Sequence, residues 1–309
     1  MAKPQEKPKI QKDLKSARKR KPEPKNFQET VWSWTKTIVG AIIVVTILNG
    51  LAIASFVVPT GSMEKTVMTG DFLFVNKFIY GPSTPQVIPF VNIPLPFYRF
   101  PGIKDPQRGD VIVFIFPGNR DEIEPAEFQY YLKRCVAIGG DTLIVKDKKL
   151  IVNGKEVPMA TNAMYDETMP VTPADKWQTF PYGRGFTRDN YGPIRIPKKG
   201  DVIQLTPENL AEWTVFISRE GHTATSNGTQ VVIDGKQTNT YTVARDYCFG
   251  MGDNRDHSLD SRYWGFVPVE NVVGTPMIVY WSWDTGAPLF QLVDKIKSVR
   301  WSRIFTIIR

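Results

Sequence analysis

The chain reads as a mainly β domain carried on a single N-terminal transmembrane helix. Three observations give that class. Residues 37–58 form the one long apolar run and contain no charged residue. After it, β-branched and aromatic runs recur between turn residues, the pattern of strands rather than helices. The 23 glycines and 24 prolines among 309 residues mark a chain with many turns.

The apolar run comes first. About twenty helical residues at ~1.5 Å each span roughly 30 Å, the thickness of a bilayer's hydrocarbon core. Eleven basic and four acidic residues precede the run and account for most of the net charge of +8. A basic segment beside a membrane helix is retained in the cytoplasm, so the rest of the chain should lie outside it. This placement speaks against nucleic acid as a partner. A cleavable leader is the competing reading, but the run is too long for one, and cleavage would detach the anchor. Residues 1–25 read as a solvated basic arm that contacts anionic lipid.

After the anchor, residues 71–77 read as a strand. Residues 80–106 hold seven prolines among aromatic and aliphatic side chains, which forbids a helix and any interior strand. Such a stretch either covers a core or enters the membrane interface. Residues 110–116 and 129–138 read as buried strands. Short strands follow at 143–145, 150–152 and 156–157, with a hairpin signal at Asn153-Gly154. The pattern recurs at 231–236. Residues 159–195 read as loop, and 206–213 as a short helix. Residues 275–283 are strand-like, and the basic tail 285–309 is either interfacial or packed on the domain.

Cys135 and Cys248 are too few for a disulfide framework and are expected to stay unlinked. His222 and His257 lie too far from them in sequence for a zinc site. The sequence calls for no metal and no cofactor.

Chemistry concentrates in three stretches. The first is Thr60-Gly61-Ser62-Met63, followed by Gly70-Asp71 and Val75-Asn76-Lys77. The second runs from Tyr131 through Lys133 and Arg134 to Gly140-Asp141. The third, from Gly252 to Pro268, is dense in charge at Asp253, Arg255, Asp256, Asp260 and Arg262. On a strand, Tyr131, Lys133, Cys135 and Ala137 share one face. A lysine desolvated there has a lowered pKa and, when neutral, can act as general base for a serine hydroxyl. His257, with Asp256 or Asp260, is the rival base. Charges beside a core usually pair and fix geometry.

These stretches, in this order after an anchor, resemble bacterial type I signal peptidase. The family's S-M-x-P-T is matched by Ser62-Met63-Glu64-Lys65-Thr66, with Lys65 where the motif has proline. Gly139 likewise stands where proline is usual, before Gly140-Asp141. The box G-D-N-R-D-x-S-x-D-S-R-Y-W-G is matched throughout, and His257 falls at its variable position. The resemblance implies an extracytoplasmic antiparallel β-sheet catalytic domain with a large β-rich insertion. The implied segments are a basic arm (1–36), a transmembrane helix (37–58), a catalytic domain (59–141 and 246–284), an insertion (142–245) and the tail (285–309). It implies a membrane-bound serine endopeptidase that removes signal peptides with small residues at −1 and −3. Its single-pass anchor would sit in the bacterial inner membrane. Ser62 would be the nucleophile and Lys133 the general base. Thr60, with the Ser62 N–H, would form the oxyanion hole. Ser258 would hydrogen-bond and orient the Lys133 amine. Asp260–Arg262 and Asp253–Arg134 would be supporting ion pairs. An inactive membrane-tethered β domain that binds exported chains, and a serine–lysine protease with a narrow substrate range, are the alternatives.

Overall fold

The computed structural model describes residues 26–82, 84, 98–286 and 292–309. The basic arm over 1–25 and most of the proline-rich stretch, at 83 and 85–97, lie outside the described residues. The chain divides into two compact units, residues 1–45 and 46–309.

Helix α1 covers Phe27–Leu51. Among the described residues no helix is long and apolar enough to cross a membrane. The apolar run does not continue as helix to Val58, because Ile53–Val57 forms strand β1, antiparallel to β2 (Asp71–Asn76). Isoleucine, valine and phenylalanine suit a strand as well as a membrane helix, so hydropathy alone does not separate them.

The main sheet continues with β3 (Val111–Ile115) and β4 (Tyr130–Ile138). In the insertion, β5 (Thr142–Lys146), β6 (Lys149–Val152) and β7 (Lys155–Glu156) form successive hairpins. The second turns at Asn153-Gly154, both with positive φ. Helix α2 (Asp175–Gln178) and strand β8 (Tyr191–Arg195) lie within the stretch that reads as loop. Pro193 hides β8 in the sequence; it is tolerated because β8 is an edge strand, in a sheet ordered β7-β6-β5-β8. Strand β9 (Val202–Gln204) precedes α3 (Leu210–Arg219), which starts after the expected position and runs longer. The Thr206 and Asn209 side chains close the turn ahead of it, so they are not its first turn. Strands β10 (Ala224–Ser226), β11 (Val231–Ile233) and β12 (Lys236–Thr238) form a small meander, and β13 (Thr240–Thr242) pairs with β9.

The chain then returns to the main sheet. Strand β14 (Tyr247–Met251), helix α4 (Ser261–Trp264), strand β15 (Val267–Pro268) and strand β16 (Val272–Ser282) follow. The seven strands are ordered β1-β2-β16-β3-β4-β14-β15, antiparallel throughout. β16 is bulged at three places, and bulges add twist. The sheet curls far enough that Phe56 of β1 meets Tyr130 of β4 edge-on, with ring centres 4.9 Å apart, although three strands lie between them in the order. The last segment, with α5 (Leu292–Lys297), packs back on the domain. Arg303 grips the fully buried Asp71, and Ile308 joins the core under β2. Trp301, Phe305 and Ile307 of the same segment remain exposed.

The insertion has no core of its own. One apolar cluster joins Val136, Ala137, Phe249 and Phe266 of the main sheet region to Leu143, Tyr191, Phe216 and Tyr241 of the insertion. Phe249 is fully buried, with its ring centre 5.8 Å from Tyr191 and 6.4 Å from Phe266.

Phe249→Ala should cost about 3–5 kcal/mol. Main sheet and insertion should then melt together at a lower temperature in calorimetry, as one transition. Two separated transitions would show that the shared core does not couple them. Lys65 has φ +72°, a left-handed conformation closed to proline, whose φ is fixed near about −65°. Lys65→Gly should therefore stabilise by about 1 kcal/mol, whereas Lys65→Pro should lower the melting temperature and displace Ser62.

Candidate active site

Ser62 sits in the turn between β1 and β2. Two carbonyls of this turn are held from the Gly252–Pro268 stretch by one residue, Asn254. Its backbone N–H donates to the Ser62 carbonyl at 3.1 Å, and its side-chain amide to the Gly61 carbonyl at 3.1 Å. Sequence reasoning missed Asn254, which stood in the box without a role. Only the approach of the two loops reveals it. Asp253 continues the clamp. Its carboxylate accepts from the Thr66 hydroxyl at 2.6 Å, and its backbone N–H meets the Met63 sulfur at 3.2 Å.

Lys133 comes from β4. Its Nζ donates to Ser62 Oγ at 2.6 Å. The side chain is only 4% exposed, between Tyr131, whose ring centre is 5.5 Å from the amine, and Gly250. A Cβ at Gly250 would stand 3.1 Å from that of Lys133, so the lysine stem uses the space a larger residue would fill. Burial drives the amine down from 10.5 to about 8; Asp260 and Asp253 pull it back up and Arg262 pushes it further down. Lys77 is lowered as far, also chiefly by burial. What sets Lys133 apart is the serine hydroxyl at its tip.

The expected ion pairs form. Arg134 binds Asp253 through two parallel bonds of 2.8 and 2.7 Å. It also donates to the carbonyls of Gly109 and Arg309. Arg262 and Asp260 are both fully buried and joined by bonds of 2.9 and 2.8 Å. Asp260 also accepts from the Arg262 N–H, capping α4, and from the Gly252 N–H at 3.0 Å. The Arg262 partner holds the Asp260 carboxyl below its ordinary range despite burial.

Ser258 departs from expectation. Its Oγ is buried and makes no hydrogen bond, to Lys133 or to any other described group. The reason is where it packs: it lies against Gly252, and a Cβ there would stand 2.2 Å from the Ser258 Oγ and 2.5 Å from the Ser62 carbonyl. The Lys133 amine is engaged by Ser62 instead. His257 is exposed at the rim, and its Nε2 lies 3.0 Å from Asp166 of the insertion. The Thr168 hydroxyl, followed by His257, holds the Asp166 carboxyl down at about 2.

Ser62 and Lys133 open into a cavity of about 640 Å³. Phe56 to Thr60 form one wall and Gln129 to Leu132 the other, with Met63, Leu73 and Val113 between them. The walls are mostly apolar. Thr60 stands exposed beside Ser62 in this cavity. Both walls offer open strand edges among the described residues. β1 pairs only with β2, and Tyr130–Lys133 of β4 pair only with β3, since β14 joins β4 at Arg134. Cys135 and Cys248 are free and fully buried, on the neighbouring strands β4 and β14. No group of three or more His, Cys, Asp or Glu among the described residues could hold a metal ion. The arrangement can do one kind of chemistry directly: deliver a serine hydroxyl, deprotonated by a neutral amine, to an extended chain lying in the cleft.

Comparison with known proteins points the same way. The family model for signal peptidase, peptidase S26, matches residues 31–281. Signal peptidase I of Helicobacter pylori is 29% identical over 292 residues, covering 90% of this chain and 93% of that protein. The enzyme of Pseudomonas aeruginosa is 29% identical over 269 residues, 84% of this chain and 75% of that one. That of Haemophilus influenzae is 31% identical over 291 residues, 82% and 72%. With the family model matched over residues 31–281 and the relatives aligned over 82–90% of it, the chain belongs to the signal peptidase family, peptidase S26.

Proposed function

We propose that this protein is a membrane-tethered serine endopeptidase that cleaves signal peptides from exported proteins with Ser62 as nucleophile and Lys133 as general base. The observation that carries the mechanism is the 2.6 Å bond between the Ser62 hydroxyl and a buried amine whose pKa is brought down to about 8. Lys133 Nζ takes the Ser62 proton as Oγ attacks the scissile carbonyl. The oxyanion is met by the Thr60 hydroxyl and the Ser62 N–H. The lysine ammonium then gives its proton to the departing amine, leaving an ester on Ser62. A water activated by the same amine releases the signal peptide. The buried Asp260–Arg262 and Asp253–Arg134 pairs hold the geometry rather than react.

The substrate is an extended chain. The two open strand edges flanking the cavity suit main-chain pairing, with alternate side chains entering the apolar cleft. Phe56 and Tyr130, which line the cleft, meet with ring centres 4.9 Å apart, a contact that leaves little room beside them and suits small residues at −1 and −3.

Tethering rests on other observations. The chargeless stretch 37–51 of α1, the basic arm before it and exposed Trp32, Trp34, Ile38, Ile42 and Ile43 support one bilayer crossing at the helix. The N-terminus would then lie in the cytoplasm of a bacterial cell and the catalytic unit outside its inner membrane. Exposed Trp301, Phe305 and Ile307 offer a further lipid contact. Reporter fusions before residue 27 and after residue 309 should report opposite sides of the membrane; the same side for both would sink the single crossing.

Detergent-solubilised preprotein tests the mechanism. Ser62→Ala and Lys133→Ala should each lose a factor on the order of 10⁴ or more in kcat. His257→Ala should keep cleaving, within about tenfold of the unsubstituted enzyme. An active Lys133→Ala beside an inactive His257→Ala would reverse the assignment of the base. The pH dependence has a defined sign. The base works when deprotonated, so kcat/KM should rise with pH through about 8 and then level off. A profile that does not rise through about 8 would count against Lys133 as the base.

A further inference from the structure

Beyond the catalytic cavity lies a second concavity of about 530 Å³, and the two share His257 and Leu259 as a common wall. Its far side is built by the insertion, with Met169, Pro170 and Gln178, and by Tyr263. That side is fastened to the catalytic loop. Met164 N–H donates to the Asp253 carbonyl at 2.8 Å, and Arg255 N–H to the Met164 carbonyl at 3.0 Å. Asp166 N–H donates to Asp256 at 2.7 Å, and the Asp166 carboxylate holds His257. The groove therefore has a built wall, fixed to the segment that also holds Ser62.

Its floor is charged but internally neutralised. Arg188 lies 3.1 Å from Asp256 and 3.3 Å from Asp175, and Lys148 lies 3.8 Å from Asp256. No ligand charge is called for. What the groove offers is apolar contact from Met169, Pro170 and Leu259, the exposed Gln178 amide, and the buried Ser258 hydroxyl, which has no partner among the described residues.

We infer that this groove takes the segment of the substrate that follows the scissile bond, the first residues of the mature protein. The inference rests on the signal-peptide-cleaving reading above. An endopeptidase must seat chain on both sides of the bond it cuts, and an extended chain advances ~3.3 Å per residue, so it leaves the serine at once. The signal-peptide side occupies the apolar cleft between β1 and β4. Crossing His257 and Leu259 brings the chain directly into the second concavity. The occupant is thus an extended, uncharged stretch of the substrate, contacted through its backbone and small apolar side chains. On this assignment the insertion forms part of the substrate site.

The test uses the full-length protein in detergent, with Ser62→Ala to keep peptides uncut. Two fluorescent peptides share one signal-peptide sequence and carry one or four uncharged residues past the scissile bond. Anisotropy should show the longer one binding about tenfold tighter. Gln178→Trp, which narrows the groove from an exposed position, and Met169→Ala, which removes apolar contact, should each shrink that difference. Equal affinity for the two peptides, or a difference unchanged in both variants, would overturn the groove. Cleavage of the longer peptide by the unsubstituted enzyme is read separately. Its absence would sink the peptidase reading, while the binding series would still decide whether the groove holds the chain.

Discussion

A lysine amine kept dry beside a serine hydroxyl is the constraint to which the rest of this protein answers. An ammonium is strongly hydrated, so burying Lys133 disfavours its charged form and brings its pKa down to about 8. That cost is tolerable only where the amine has a partner and close packing around its stem. Ser62 is the partner. Gly250 provides the space, and Tyr131 and Phe114 line it. The two acids near the amine, Asp260 and Asp253, would restore its charge if free. Each is instead claimed by an arginine through paired bonds. The ion pairs thus limit how far the two carboxylates pull the lysine back towards its charged form. Removing one partner of such a buried pair typically costs about 3–5 kcal/mol, because the other charge is stranded.

The same loop also fixes the serine. Asn254 holds the carbonyls of Gly61 and Ser62, Asp253 holds Thr66, and Gly252 leaves room for Ser258 against the Ser62 carbonyl. Ser62 and Lys133 come from segments about 70 residues apart, and the loop that aligns them lies over 100 residues further on. Such long-range agreement explains the tight glycine positions. At both Gly250 and Gly252, any side chain would press on a residue that must not move.

The site was legible because its chemistry is local in sequence. Ser62, Lys133, Arg134, Asp253, Asp260 and Arg262 lie in three short stretches, and β4, the strand that carries Lys133 and Arg134, shows an aromatic and β-branched pattern. Less was legible where one residue type serves two structures. Ile53–Val57 is apolar enough for a membrane helix, yet it pairs with residues 72–76 of β2, an outcome decided by a partner further along the chain. Pro193 argued against a strand, but an edge position leaves its missing N–H without consequence. Ser258 matched its motif, yet its hydroxyl direction depends on packing against Gly252, which no motif encodes. Lys65 was a visible departure, and only its φ of +72° shows that the backbone has departed with it.

The insertion carries no motif, and its strands are short, so in sequence it resembles an appendage. Packing says otherwise. Its apolar residues complete the cluster that buries Phe249 and Phe266, and Phe249 lies on the strand that covers Lys133 through Gly250. Met164 and Asp166 reach from the insertion to Asp253, Asp256 and His257, the loop that holds Ser62. Two independent connections, one through the core and one along the rim, therefore tie the insertion to the segments that carry Lys133 and hold Ser62. A protein needing only the serine and its base could dispense with the rim. One that must grip a chain on both sides of the cut needs a second wall, and the insertion is the element fastened in the right place to form it.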